Sequence, residues 1–317
     1  MPMGKLIYCM AVLSVALGAC TPVSTPDQAP PLANSPRQTE AVVQQDISLT
    51  ASRGREIPLR IYFPADGCSA CTLIFFSHGA SLTHDSYRSL IHNWALRDYV
   101  VAAPLHTDSE LHPDRENYNG FDWVTTRIED YQVISSALLG ASVDIDDVTL
   151  SGTVIAAGHS FGALTAQIAG GAELHPSVAA TLDERAGRPL AVIAISPPGP
   201  VANYTYAEGW SKLDRPMVVV TGTADRVPNF APTWELHLAS YHAAPAGSAY
   251  LLVFDDIDHY FNGAFGRPAP QGFVYNDETV LLNRIIIDFI RAVEADDAPS
   301  AAEWRSLSRP GLKAEAR

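Results

Sequence analysis

The sequence predicts an α/β fold, with a mostly parallel central sheet of about eight strands and helices on both faces. Three observations predict it. Short runs that are apolar throughout recur along the chain, such as Thr72-Leu73-Ile74-Phe75-Phe76 and Met217-Val218-Val219-Val220-Thr221. A strand apolar on both sides is buried on both faces, which is the environment of a parallel sheet. Segments with helical spacing separate most of these runs. Finally, 317 residues, 47% hydrophobic and 18% charged, suffice for one large domain with a substantial core.

The elements follow in order. In residues 1–19, Lys5 gives a short positive region, residues 6–17 are apolar, and Leu17-Gly18-Ala19-Cys20 follows. This pattern resembles a bacterial lipoprotein signal peptide, with Cys20 as the lipidated first residue of the mature chain. An ordinary secretory signal cut after Ala19, giving a secreted protein, is the alternative. Both place the mature chain outside the cytoplasm, and the apolar run is too short to span a bilayer. Thr21 stands where an Asp would resemble an inner-membrane retention signal, so the outer membrane, facing the periplasm, is expected in a Gram-negative host. Residues 20–40 are rich in Pro, Ser, Thr, Ala and Gln. They read as a disordered tether with a reach of about 25 Å.

Residues 41–295 read as one α/β domain. Residues 42–49 and 57–63 are expected to form antiparallel starting strands, and 72–76 a buried strand. A helix over 85–97 would place Leu90, Ile91, Trp94 and Ala95 on one side. Strand 99–103 follows, then a helix over 127–139 with Ile128, Tyr131, Ile134 and Leu138 at helical spacing. Strands are expected at 153–157, 190–195, 217–221 and 249–254, and a last helix at 277–295. The tail, 296–317, is rich in Ala, Ser and charge and is expected to be loosely ordered.

Composition limits the chemistry. The net charge is −14, and no Lys/Arg cluster exists to neutralise phosphates, which argues against nucleic-acid binding. Cys9 lies in the signal segment. Cys68-Ser69-Ala70-Cys71 precedes a strand, where a thioredoxin-like motif would open a helix. In an oxidising compartment a local Cys68–Cys71 disulfide is the reading, with free thiols as the alternative. A zinc site would need a second ligand pair, and none is evident, so no metal is assigned. His106, Asp108, His112, Asp114 and Glu116 are irregularly spaced and read as a solvated rim. Two aromatic loops, 120–123 and 203–210, are candidates to line a pocket or to anchor their own loops.

Gly158-His159-Ser160-Phe161-Gly162 sits between an apolar run and a helix-forming segment. That context is a nucleophile elbow: a sharp strand-to-helix turn exposing the Ser160 hydroxyl, with glycines where side chains would collide. A serine hydroxyl needs an imidazole to take its proton and a carboxylate to fix that imidazole. Asp225, in Gly222-Thr223-Ala224-Asp225 after an apolar run, is the candidate acid. His259, in Asp258-His259 after the last run, is the candidate base, and Asp258 is the alternative acid. An oxyanion hole needs backbone amides. Phe161 follows the nucleophile, and Ala80 follows Phe76-Ser77-His78-Gly79. His78 and His159 read as packing residues.

These four segments resemble the α/β-hydrolase superfamily. Over residues 55–295 the chain is similar to its dienelactone-hydrolase-like group, including platelet-activating-factor-acetylhydrolase-like and cutinase-like serine esterases. The resemblance implies a Ser160–Asp225–His259 triad and an Ala80/Phe161 oxyanion hole. Dienelactone hydrolase proper carries a Cys nucleophile, from which Ser160 departs. The expected function is a serine carboxylesterase acting without a cofactor on small-molecule or polymeric esters. It would be a monomer whose membrane partner is reached through the lipid on Cys20. The alternatives are an acyltransferase or peptidase with the same triad, and a non-catalytic binding lipoprotein on the same fold.

Overall fold

The computed structural model describes residues 41–178, 187–201, 204–228, 230–266 and 276–317. The signal segment, the tether and Cys20 lie outside the described residues. Among the described residues no helix is long and apolar enough to cross a membrane.

The chain builds one nine-stranded sheet: β1 (Val42–Thr50), β2 (Glu56–Pro64), β3 (Cys68–Ser77), β4 (Val100–Pro104), β5 (Val148–His159), β6 (Ala191–Ile195), β7 (Met217–Gly222), β8 (Ala249–Phe254) and β9 (Leu312–Ala316). Their order in space is β1-β2-β4-β3-β5-β6-β7-β8-β9. From β4 through β8 neighbouring strands are parallel; β1, β2 and β9 pair antiparallel. The helices are α1 (Arg88–Ala95), α2 (Phe121–Leu139), α3 (Phe161–Ala169), α4 (Ala207–Trp210), α5 (Ala239–Ala243), α6 (Asp277–Glu294) and α7 (Ala301–Arg305).

The two-residue period of a strand explains why the central runs are apolar throughout. Ile74 and Phe76 of β3 pack with Leu90, Trp94, Ile286 and Ile290, under α1 and α6. Leu73 and Phe75 point the other way, towards Tyr131 and Ile134 of α2 and Ala166 of α3. Both faces are therefore dry. Helix α6 starts where Asn276 caps it, its side chain accepting from the Thr279 amide at 2.8 Å, and Asp277 and Glu278 meet the positive end of the helix dipole.

Four expectations need correction. The tail is not loose: the Ser300 hydroxyl and the Glu303 carboxylate form a capping box that starts α7, and β9 closes the sheet as a ninth strand beside β8. Trp304 is buried there, its indole N–H donating to the Leu251 carbonyl at 3.1 Å. Helix α2 starts at Phe121, so Phe121–Trp123 belongs to its first turn; polar Asp122, Thr125 and Thr126 hide the periodicity. The helix expected over 85–97 is a 3-10 turn, His84–Tyr87, running into the shorter α1. Residues 106–109 and His112 are buried, not a solvated rim. Cys68 and Cys71 are joined as a disulfide at the start of β3.

Sheet order also locates the site. From β3 the chain crosses by α1 to β4 on one side, then by α2 to β5 on the other. The two crossovers cover opposite faces. A crevice therefore opens beyond the carboxyl ends of β3 and β5, the topological switch point where open α/β sheets bind ligands. Ser77 and Gly158 are register partners at that end, so the loops carrying Ala80 and Ser160 start side by side.

Candidate active site

Ser160 stands between β5 and α3 with φ 54° and ψ −119°, a backbone conformation that L residues rarely adopt. Its amide donates to the Ile195 carbonyl of β6 at 2.8 Å, which anchors the turn. The flanking glycines are steric necessities. A Cβ on Gly158 would lie 2.2 Å from the Gly162 carbonyl oxygen, and one on Gly162 would lie 1.9 Å from the Ser77 carbonyl oxygen. Helix α3 starts at Phe161, so its first amides have no intrahelical acceptor.

Asp225 follows β7 and is fully buried. Its Oδ2 accepts from the Thr221 hydroxyl at 2.8 Å, and its Oδ1 from His259 Nδ1 at 2.7 Å. The loop approaches closely because residue 222 is glycine: a Cβ there would be 2.1 Å from the Ile257 carbonyl oxygen. Burial alone would raise the Asp225 pKa, but the close approach of the His237 and His259 imidazoles outweighs it and holds the carboxyl below the usual range. Asp258, the alternative acid, is engaged by the amides of Tyr260 and Asn262 at 2.9 and 2.8 Å in its own turn. The structure thus pairs His259 with Asp225.

With Nδ1 donating to Asp225, His259 keeps Nε2 as a proton acceptor. His259 and Ser160 line the same cavity. Among the described residues no hydrogen bond joins the two side chains; such contacts commonly tighten only around a substrate.

His159 links the loops. Its Nε2 donates to the His259 carbonyl at 2.8 Å, and its Nδ1 accepts from the Tyr87 hydroxyl at 2.8 Å. Tyr87 in turn accepts the Gly79 amide at 2.9 Å. Burial, then the nearby His259, pushes the His159 pKa well down, so the ring is neutral and the chain of donors has one direction. His78 is also buried, its Nε2 accepting the His106 amide at 3.1 Å.

Two participants carried no signal in the sequence. His237, in a 3-10 turn at Trp234–Leu238, brings Nε2 to 3.0 Å from Asp225 Oδ1, off line for a hydrogen bond, and Nδ1 to 2.7 Å from the Pro197 carbonyl. Tyr87 sits in an ordinary helix start. Asp225, His237 and His259 are also the one group among the described residues with metal-ligand spacing. His259 Nδ1 and His237 Nε2 both face the Asp225 carboxylate itself.

The cavity measures about 390 Å³ and is largely apolar, with Trp123, Leu164, Val201, Tyr204 and Phe230 around Ser160. Ala80 and Phe161 lie on its wall. Among the described residues no protein acceptor takes the Ala80 amide. Of the aromatic segments singled out in the sequence, Trp123 and Tyr204 face the cavity, and Phe121 stacks on Tyr204 at 4.5 Å. Trp210 is buried elsewhere, against Gln167.

No protein-family model matches the chain, and no curated protein matches it in sequence. Solved structures match in fold. A putative dienelactone hydrolase from Klebsiella pneumoniae subsp. pneumoniae MGH 78578 aligns with TM-score 0.54 and 15% identity, over 78% of this chain and 97% of the other. Esterase 2 of Thermogutta terrifontis, phosphorylated by paraoxon, aligns with TM-score 0.54 and 17% identity, over 81% and 96%. The esterase domain of a Rhodothermus marinus protein aligns with TM-score 0.50 and 12% identity, over 80% and 98%. The chain has the α/β-hydrolase fold. At these identities the likeness speaks for the fold alone.

Proposed function

We propose that this chain is a serine carboxylesterase. One observation carries the reading: a serine on a strained elbow shares an apolar cavity with a histidine whose far nitrogen is bound to a buried carboxylate. Glycine would take that backbone conformation without strain; a nucleophile needs the hydroxyl there. His259 Nε2 takes the proton as Ser160 Oγ attacks the ester carbonyl. The amides of Ala80 and Phe161 receive the oxyanion, and Asp225 stabilises the imidazolium. His259 then gives the proton to the departing alcohol. Water, deprotonated by His259, releases the acid and restores Ser160.

An apolar cavity of this size suits a small ester, or one unit of a polymeric ester. A membrane-tethered, extracytoplasmic setting is part of the proposal: the signal-like start and Cys20 support it, and a Cys68–Cys71 disulfide accords with an oxidising compartment.

The test is hydrolysis of p-nitrophenyl esters of graded chain length by the full chain, beside Ser160→Ala. Turnover should fall at least 1,000-fold in the variant (an order-of-magnitude expectation), and paraoxon should label wild type but not the variant. Turnover that survives Ser160→Ala would sink the reading. Faster transfer to added alcohol than to water would recast the protein as an acyltransferase.

A further inference from the structure

Arg127 of α2 is fully buried, and nothing in the chemistry above uses it. A buried guanidinium is costly unless its donors are all engaged. Here they go to two places. Nε and Nη2 form a fork on Asp108, at 2.8 and 2.9 Å. Nη1 donates to the His78 carbonyl at 2.8 Å and the Ser77 hydroxyl at 3.0 Å, and Nη2 also reaches the Gly79 carbonyl at 3.4 Å. Asp108 Oδ2 accepts the Ser81 amide at 3.0 Å. The Ser77 hydroxyl is held again by His106 Nε2 at 2.8 Å, whose Nδ1 lies 2.6 Å from Asp130. One ion pair therefore grips the whole loop that carries Ala80.

The grip has a direction. In a trans peptide the carbonyl and the following N–H point to opposite sides, and the described chain has no cis peptides. The Gly79 carbonyl accepts from His78 Nδ1 at 2.7 Å and from Arg127 Nη2 at 3.4 Å, and Arg127 also holds the His78 carbonyl; the Ala80 N–H is thereby turned away from the guanidinium, towards the cavity that Ala80 lines. The same guanidinium lies 4.4 Å from the centre of the Phe161 ring, within cation–π range. It thus touches the ring of one residue and the peptide of the other whose amides would receive the oxyanion.

We propose that Arg127 is the positioning residue of the oxyanion hole, holding the Ala80 amide through the His78 and Gly79 carbonyls and the Phe161 backbone through its ring. The inference rests on the serine-hydrolase reading. Its action is geometric: Asp108 neutralises the guanidinium, so little net field reaches Ser160. Burial would raise the Asp108 pKa, but Arg127 overrides it and keeps the carboxyl ionised.

The test compares the wild-type full chain with Arg127→Lys and with Arg127→Met/Asp108→Asn, which leaves neither charge buried alone. Thermal unfolding, kcat and KM on p-nitrophenyl butyrate, and the inhibition constant of an alkylboronic acid are measured for each. The boronic acid forms a tetrahedral serine adduct with a negatively charged oxygen, so it reads the oxyanion hole directly. In the double variant kcat should fall roughly 100-fold with KM nearly unchanged, and boronic acid binding should weaken by a similar factor. Arg127→Lys lacks the planar fork and should recover kcat only in part. A cooperatively folded double variant that keeps kcat and the inhibition constant within about threefold of wild type overturns the proposal. So does a fall in kcat with boronic acid binding unchanged. If the double variant does not fold, Phe161→Leu decides. Loss of the ring should weaken kcat and boronic acid binding together, by about tenfold, and no change in either overturns the proposal. Wild type without Ser160-dependent turnover brings down the hydrolase reading itself, a result separate from these.

Discussion

At Asp225 a single carboxylate oxygen faces two imidazoles, His259 Nδ1 at 2.7 Å and His237 Nε2 at 3.0 Å. His237 Nδ1 faces the Pro197 carbonyl, which can only accept, so Nδ1 carries a proton. A neutral ring would then turn the Nε2 lone pair towards a carboxylate. The imidazolium is the form that fits. Burial pulls the His237 pKa down, but Asp225 outweighs it and the net shift is upward from 6.5. A raised histidine stabilises the fold fully below 6.5, and that contribution is lost as pH rises through the raised value. The Asp225 shift is downward from 3.8, so its contribution is present above 3.8 and lost in stronger acid. The pair should therefore contribute most between about pH 4 and pH 6.5. His237→Gln is expected to lower unfolding free energy by about 2 kcal/mol at pH 5, and by less at pH 9. Urea denaturation at the two pH values checks this; an equal loss at both would show that His237 acts by packing and not by charge.

At the scale of elements, β5, the turn at Ser160 and α3 form one unit whose glycines answer to packing. The Cβ of Gly162→Ala would strike the Ser77 backbone oxygen, which cannot move without shifting β3. Gly247, at φ +87°, is a contrast: nothing lies within 4 Å of where an alanine Cβ would sit, so alanine there meets backbone strain only. Gly162→Ala should cost about 3 kcal/mol, and Gly247→Ala about 1 kcal/mol. Equal thermal shifts for the two would contradict the steric account. The elbow was legible in the sequence because its determinants are neighbours in the chain: an apolar run, two glycines and a helix-forming stretch. The N-terminal part of α2 was not, because its polar residues serve buried contacts, Thr126 to Thr107 at 2.7 Å for instance, that local spacing does not encode.

Across the whole molecule, the sheet is completed from its far end. Strand β9 pairs along β8 from Phe254–Leu312 to Tyr250–Ala316, and β8 leads into the loop that carries His259. Trp304 plugs the same edge, against Tyr250 and Phe289. Trp304→Ala is expected to cost about 4 kcal/mol. A chain ending at residue 295 should unfold at a markedly lower temperature and aggregate through the bared β8 edge. Calorimetry of the two forms and light scattering on heating check this, and an unchanged melting temperature in the truncated chain would return the tail to a peripheral role. The signal for this element was present as Ser300-Ala301-Ala302-Glu303, a capping-box spacing, and as the alternation in Leu312-Lys313-Ala314-Glu315-Ala316. An Ala- and charge-rich composition obscured it.

The sequence by itself determined the α/β class, the strand and helix order of the central sheet, the elbow at Ser160, and the order serine, aspartate, histidine along the chain. These are near-neighbour properties: side-chain period, turn sterics and the placement of polar residues at strand ends. Tertiary structure alone decided the rest. It chose Asp225 over Asp258, because the Asp258 carboxylate is consumed by its own turn. It also brought His237, Tyr87 and Arg127 to the site. Tyr87 lies 72 residues from His159, and Arg127 lies 49 from His78. Those contacts follow from the sheet order, which sets β4 and β5 on opposite sides of β3 and so brings Tyr87, in the connection to β4, and Arg127, in the connection to β5, to the loop that carries Ala80. A buried donor takes whatever acceptor the packed chain presents, and no local pattern records that choice.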